Sequence, residues 1–162
     1  MCGIAGVYGL GDKELVKRMC NKLVHRGPDE KGYYIDKNIS LGMQRLSIID
    51  LESGKQPIFN EDGSIIVIFN GEIYNFYDLR GELERKGHSF YTKSDTEVIV
   101  HAYEEYNIDF VHKLDGMFAI ALWDSDKKEL YPKLIINVSC KSLNPKSLRK
   151  ICLLYTSPSP RD

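Results

Sequence analysis

Met1-Cys2-Gly3-Ile4-Ala5-Gly6 opens the chain. A cysteine stands directly behind the initiator methionine, and Met is removed by aminopeptidase when the second residue is small. The mature chain would then begin with a thiol and a free α-amine on one residue. The amine titrates at about 7.7–8.0 and the thiol at about 8.5. The amine can therefore take the proton of its own side chain, directly or through water, near neutral pH. The bland alternative is a small apolar residue opening a buried strand, since Ile4-Ala5-Gly6-Val7-Tyr8 is short, apolar and ended by glycine. The rest of the chain decides between the two.

The 162 residues suit one domain with a real core, and 43% hydrophobic with 28% charged residues is ordinary globular composition. A net charge of −1 argues against nucleic acid or an anionic membrane as the main partner. No apolar run approaches the roughly 20 residues that span a bilayer, and no secretory signal is visible, so a cytoplasmic protein is expected. Cys2, Cys20, Cys140 and Cys152 are scattered, without CxxC or Cys/His spacing. Reduced thiols are expected, with neither disulfides nor a metal site.

Outward from the first strand, Asp12 caps a segment in which Leu15, Val16, Met19, Cys20, Leu23 and Val24 recur at helical spacing. His25-Arg26-Gly27-Pro28-Asp29 breaks it with a defined turn; Arg26 either caps the preceding helix or serves a site. Tyr33-Tyr34-Ile35 and Ile39-Ser40-Leu41-Gly42-Met43 flank a hairpin turn. Arg45 leaves the second strand into a long loop holding Gly54, Pro57 and Gly63. Ser64-Ile65-Ile66-Val67-Ile68-Phe69 is β-branched and continuously apolar, a central strand buried on both faces that delivers Asn70-Gly71-Glu72 at its end. Leu79, Leu83 and Gly87 mark a short helix with a glycine stop. Ser94-Asp95-Thr96-Glu97 has capping-box spacing and opens a helix carrying Val98, Ile99, Ala102 and Tyr106. Asp115-Gly116 precedes a second buried strand, 117–123, and another strand begins at Glu129-Leu130-Tyr131. Beyond Pro132 the alternation stops and prolines accumulate, which argues against packed structure.

Polar residues that stand where these strands end make a kit for attack on a side-chain amide of a free amino acid. Cys2 supplies the thiolate. Asn70 and the N–H of Gly71 offer two donors for the tetrahedral oxyanion. The fork of Arg45 suits an α-carboxylate, and Asp95 suits an ammonium. Singly, each has a plain alternative: a turn at Asn-Gly, a helix-terminus acid at Asp95, a surface arginine at Arg45.

Six ordered blocks resemble the class II glutamine amidotransferase domain: Met1-Cys2-Gly3-Ile4-Ala5-Gly6, His25-Arg26-Gly27-Pro28-Asp29, Arg45-Leu46-Ser47-Ile48-Ile49-Asp50, Asn70-Gly71-Glu72-Ile73-Tyr74-Asn75, Ser94-Asp95-Thr96-Glu97 and Asp115-Gly116-Met117-Phe118-Ala119. The second and fourth are similar to the glutamine-hydrolysing asparagine synthetase branch. The resemblance implies an α+β N-terminal-nucleophile (Ntn) hydrolase fold, a four-layer αββα sandwich of two mainly antiparallel sheets. It implies Cys2 as nucleophile with its α-amine as base, and Asn70 and Gly71 as the oxyanion hole. Arg45 would hold the α-carboxylate of L-glutamine, with Leu46, Ser47, Ile48 and Ile49 lining the pocket. Gly71, Glu72 and Asp95 would hold the α-amino group. Glutamine would become glutamate and ammonia without a cofactor. In the full-length enzyme the ammonia would pass to a C-terminal synthetase domain that uses ATP and magnesium to convert aspartate to asparagine. Homo-oligomerisation of that enzyme is left open.

The match runs over residues 1–131. Residues 132–162 do not follow the family, and Cys152-Leu153-Leu154-Tyr155-Thr156-Ser157-Pro158-Ser159-Pro160-Arg161-Asp162 resembles translated adapter read-through. The expectation is a domain incomplete at its C-terminal end, with bare strand edges, a poorly ordered tail of frameshift origin and no synthetase domain. Two alternatives stand beside the glutaminase reading: another class II amidotransferase of hexosamine or purine type, and a non-catalytic, misfolded fragment.

Overall fold

The computed structural model describes residues 2–47, 50, 53–135 and 152–155. Two four-stranded antiparallel sheets are stacked between helices. The first sheet begins with β1 (Gly3–Tyr8). After α1 (Lys13–Asn21), the hairpin of β2 (Glu30–Asp36) and β3 (Ile39–Arg45) returns beside it. The second sheet is built on β5 (Ile65–Ile73), flanked by the two-residue β4 (Ile58–Phe59) and by β6 (Gly116–Asp124). Between β5 and β6 the chain makes α2 (Phe76–Arg85) and α3 (Glu97–Tyr106), and β7 (Glu129–Ile135) extends the sheet beyond β6.

Strand alternation sorts the side chains into layers. Ile4, Ile39, Leu41 and Met43 of the first sheet meet Ile66, Ile68, Ala119, Ala121 and Trp123 of the second, and this is the central core. The opposite face of β5 and β6, with Val67, Phe69, Ile120 and Leu122, packs under Leu79 and Leu83 of α2 and Val98, Ala102 and Tyr103 of α3. Ala5 lies under Val16, Cys20 and Leu23. Each large apolar side chain so buried contributes about 1.5–3 kcal/mol. The αββα layering expected of the chain is therefore present.

Local chemistry accounts for the element ends. Asp12 accepts from the Leu15 N–H at 2.8 Å and caps α1. α2 closes with His88 N–H reaching the Leu83 carbonyl while Gly87 takes φ +106°, a left-handed conformation that glycine adopts without strain.

Three local expectations are corrected. The capping box is not formed: α3 starts at Glu97, and Ser94 Oγ accepts instead from the Thr96 N–H. Glu97 reaches further back, to the N–H groups of Tyr91 and Thr92. Asn70, Gly71 and Glu72 lie inside β5 rather than past its end, because β6 pairs with them residue for residue, Asn70 with Ala119 through Ile73 with Gly116. The stretch from Pro132 is not wholly without structure. β7 runs through Pro132, tolerated because β7 is the edge strand of its sheet among the described residues and needs no N–H on its outer side. Cys152–Tyr155 forms β8, antiparallel to β1 with Ile4 opposite Tyr155, so β1 does not present a bare edge. The rest of the expected tail, 136–151 and 156–162, lies outside the described residues.

Candidate active site

Cys2 immediately precedes β1, and Arg45 ends the strand paired with β1, Gly3 lying opposite Gln44. Register alone therefore brings the start of the chain and Arg45 to the same end of the sandwich. The middle of β5 faces that end from the other sheet, and the 94–96 segment closes it. Between them is a cavity of about 160 Å³. Its walls carry Cys2, Arg45, Leu46, Asn70, Gly71, Glu72 and Asp95.

The thiol is half-buried. The Leu46 N–H donates to Cys2 Sγ at 3.4 Å, and Sγ stands 3.6 Å from the Leu46 carbonyl. Burial pushes the Cys2 pKa up; the Leu46 N–H and the Arg45 charge oppose this and Asp95 adds to it. A thiol in this position rests protonated near neutrality and needs a base to become a nucleophile.

Arg45 is buried and held on two sides. Nη1 bonds Glu30 at 2.7 Å, and Nη2 donates to the Asp50 carbonyl at 2.8 Å. Asp50 is itself fixed: its carboxylate accepts from the Ser53 and Lys93 N–H groups, and hydrogen bonds hold its pKa down to about 2. Asp95 is 5% exposed and accepts from the Ile73 N–H at 3.1 Å. Burial raises its pKa, and the negative charge of Glu72 raises it further. A cation seated beside both acids would relieve both effects.

Gly71 has a steric requirement. A Cβ there would lie 2.3 Å from the Met117 carbonyl and 2.5 Å from Phe118 Cα, so only glycine allows β5 to run this close to β6 beside the cavity.

The His-Arg-Gly-Pro-Asp turn supports the site from behind. Arg26 Nε donates to the Cys2 carbonyl at 3.3 Å, which sets it against the backbone of the thiol residue. The Asp29 N–H donates to the Arg45 carbonyl and Asp29 Oδ2 accepts from the Ser47 N–H.

Of the residues read from sequence, Cys2, Arg45, Leu46, Asn70, Gly71, Glu72 and Asp95 come together at the cavity. Ser47 does not line it, and Ile48 and Ile49 lie outside the described residues. Sequence reasoning missed Gln56. Its Oε1 accepts from the Phe69 N–H at 2.6 Å and its Nε2 donates to Thr96 Oγ1, tying the cavity floor on β5 to the start of α3. Its only signal was a place beside Pro57 in the long loop. Gly54, Ser94, Thr96 and Met117 also line the walls.

The profile of a family described as "Glutamine amidotransferase domain" matches residues 1–132. The chain is 46% identical over 138 residues to asparagine synthetase [glutamine-hydrolyzing] 1 of Bacillus subtilis, covering 81% of this chain and 22% of that protein. It is 50% identical over 130 residues to asparagine synthetase [glutamine-hydrolyzing] 1 of Arabidopsis thaliana, covering 77% and 22%. The chain thus spans about a fifth of the length of these relatives. Among solved structures it superposes on the glutamine phosphoribosylpyrophosphate amidotransferase of B. subtilis with a TM-score of 0.64 at 21% identity, over 76% of this chain and 35% of that one. That likeness is one of fold.

Proposed function

The chain belongs to the glutamine amidotransferase domain family, and on that premise we propose that it hydrolyses L-glutamine to glutamate and ammonia with Cys2 as the nucleophile. The observation that carries this is the convergence of the Cys2 thiol, a buried guanidinium and two carboxylates on one small cavity.

With Met1 removed, the α-amine of Cys2 takes the thiol proton, which the raised thiol pKa makes necessary. The thiolate attacks the glutamine side-chain carbonyl, and the oxyanion takes donors from the Asn70 amide and the Gly71 N–H. Arg45, held by Glu30 and Asp50, receives the substrate carboxylate. Glu72 and Asp95 receive the ammonium. Collapse returns the proton to the departing nitrogen, releases ammonia and leaves a γ-glutamyl thioester on Cys2. Water, deprotonated by the same amine, then adds to the thioester and frees glutamate and thiol. None of these steps calls on a cofactor.

The curated relatives favour the asparagine synthetase branch over the hexosamine or purine type. In that reading a further, ATP- and magnesium-using synthetase domain receives the ammonia and passes it to activated aspartate. Residues 1–131 are assigned to the amidotransferase part, and β7 carries its second sheet on to Ile135.

Intact mass after expression and incubation with an electrophilic glutamine analogue test the reading together. The expected result is a Met-free chain carrying one adduct on Cys2, with glutamate formed from glutamine. A folded, Met-free chain that takes no label and makes no glutamate refutes it.

A further inference from the structure

A second cluster of chemistry-bearing side chains lies on the outer helical layer, away from the thiol. Glu61 comes from the loop after β4, His88 from the segment after α2, and His101 and Glu104 from α3. Their donor atoms all lie within 4.8 Å of one another. His101 Nδ1 is 3.1 Å from Glu104 and 3.4 Å from Glu61; His88 Nδ1 is 3.5 Å from Glu104 and 3.6 Å from Glu61. Zinc bound at about 2.0–2.1 Å in a tetrahedron sets its ligands about 3.3–3.4 Å apart. The four measured contacts lie near that value, the two to Glu61 being made by its different oxygens, Oε2 toward His101 and Oε1 toward His88. We propose that Glu61, His88, His101 and Glu104 form a closed four-ligand site for a divalent transition-metal ion of the zinc class.

The surroundings match what such a site needs. Each imidazole turns Nδ1 inward and Nε2 toward an outer carboxylate: His88 Nε2 to Glu105 at 3.1 Å and His101 Nε2 to Glu97 at 3.7 Å. A carboxylate behind the ring is the arrangement that fixes the tautomer of a metal-bound histidine. At neutral His88 the hydrogen bond to Glu105 keeps the proton on Nε2 and leaves Nδ1 as a lone-pair donor, whereas His101 Nε2 makes no hydrogen bond among the described residues. The two ligand carboxylates are oriented as well. Asn60 Nδ2 donates to Glu104 Oε1 at 2.8 Å, and the Ser89 N–H donates to Glu61 Oε1 at 3.0 Å, which leaves an oxygen of each for an ion.

His101 is fully buried, so its Nδ1 is not simply a solvated edge. Two carboxylates and two neutral imidazoles would neutralise a dication, and imidazole with carboxylate suits the zinc class better than calcium. No local spacing announces this metal site, because the ligands fall at 61, 88, 101 and 104, on three separate segments.

The test uses the full chain stripped with a chelator. Zn2+ should bind at one equivalent and raise the melting temperature. Co2+ in its place should give the intense visible bands of tetrahedral coordination, without the near-ultraviolet band of a thiolate ligand. His88→Gln and Glu61→Gln, both nearer the surface than His101, should each weaken binding at least about tenfold while the chain still melts cooperatively. Failure of the folded wild-type chain to bind Zn2+, binding that survives both substitutions, or a cobalt–thiolate band overturns the proposal.

Discussion

Asp95→Asn separates a substrate clamp from a structural prop because the two roles predict opposite signs. The introduced amide is isosteric and its oxygen can still accept from the Ile73 N–H, so the local hydrogen bond survives. The charge is lost. Asp95 is 5% exposed, and burial together with Glu72 raises its pKa. Its folded pKa therefore lies above the unfolded value of about 3.9. A carboxyl of this kind favours the fold below the unfolded pKa, and that contribution is lost as pH rises through the folded pKa. At neutral pH the charge is a cost, and the D95N substitution should leave the urea midpoint unchanged or higher. Catalysis should move the other way. Removing one partner of a buried, hydrogen-bonded charge pair costs about 2–5 kcal/mol, which is about 30- to 4,000-fold in kcat/KM for glutamine at 1.4 kcal/mol per tenfold. The loss should be carried mainly by KM, because the ammonium is held alike in ground and transition states. Urea titration and glutamate release on one preparation decide the matter. A D95N chain that is markedly destabilised, or stable with normal KM, refutes the assignment.

Ile68→Ala opens the inter-sheet core and should cost about 2–5 kcal/mol by urea unfolding, whereas Tyr77→Ala, at a residue 75% exposed, should stay within about 0.5 kcal/mol. Gly27→Ala would place a Cβ 2.3 Å from the Gln44 carbonyl, so about 1–3 kcal/mol of stability should be lost along with analogue labelling of Cys2, as the turn is pushed off the end of β3. Iodoacetamide on the native chain should modify Cys2 faster as pH rises from 7 to about 9, while Cys20, fully buried with its pKa pushed up to about 11, should stay unmodified; peptide masses read both.

The fold was legible where apolar periodicity is strong. The run 65–69, the hairpin around Lys37, the Asp12 cap and the Gly87 stop all follow from local chemistry. Ends that depend on a partner were not legible. Ile65–Ile73 continues through Asn70-Gly71-Glu72 only because Gly116–Asp124 lies alongside, which a turn-forming Asn-Gly pair does not announce. Ser94 to Glu97 has the spacing of a capping box, yet Glu97 is drawn away by the Tyr91 and Thr92 N–H groups of a loop whose path is tertiary. The site was legible as residue types in order. Gln56 was not, since nothing local marks a loop glutamine that bridges a strand and a helix. The His88/His101 pair was hidden for the same reason: two imidazoles thirteen positions apart meet only once α2 and α3 pack.

What the turn at 25–29 does follows from combining its contacts. Arg26 holds the Cys2 carbonyl from one side, and Asp29 holds the backbone of Arg45 and Ser47 from the other. Glu30, the next residue, holds the Arg45 guanidinium. Five consecutive positions thus clamp both the residue that carries the thiol and the strand end that carries the cation. Pro28 limits the turn's freedom, and Gly27 lets it approach within a contact no side chain would permit. Cys2 precedes the first strand and on its own would fray, as chain ends do. A nucleophile at a chain end is useful only if its backbone is fixed to a fraction of an ångström. In this molecule the fixing comes from a turn more than twenty residues away, and in the proposed mechanism that turn positions both the thiol residue and the Arg45 strand end.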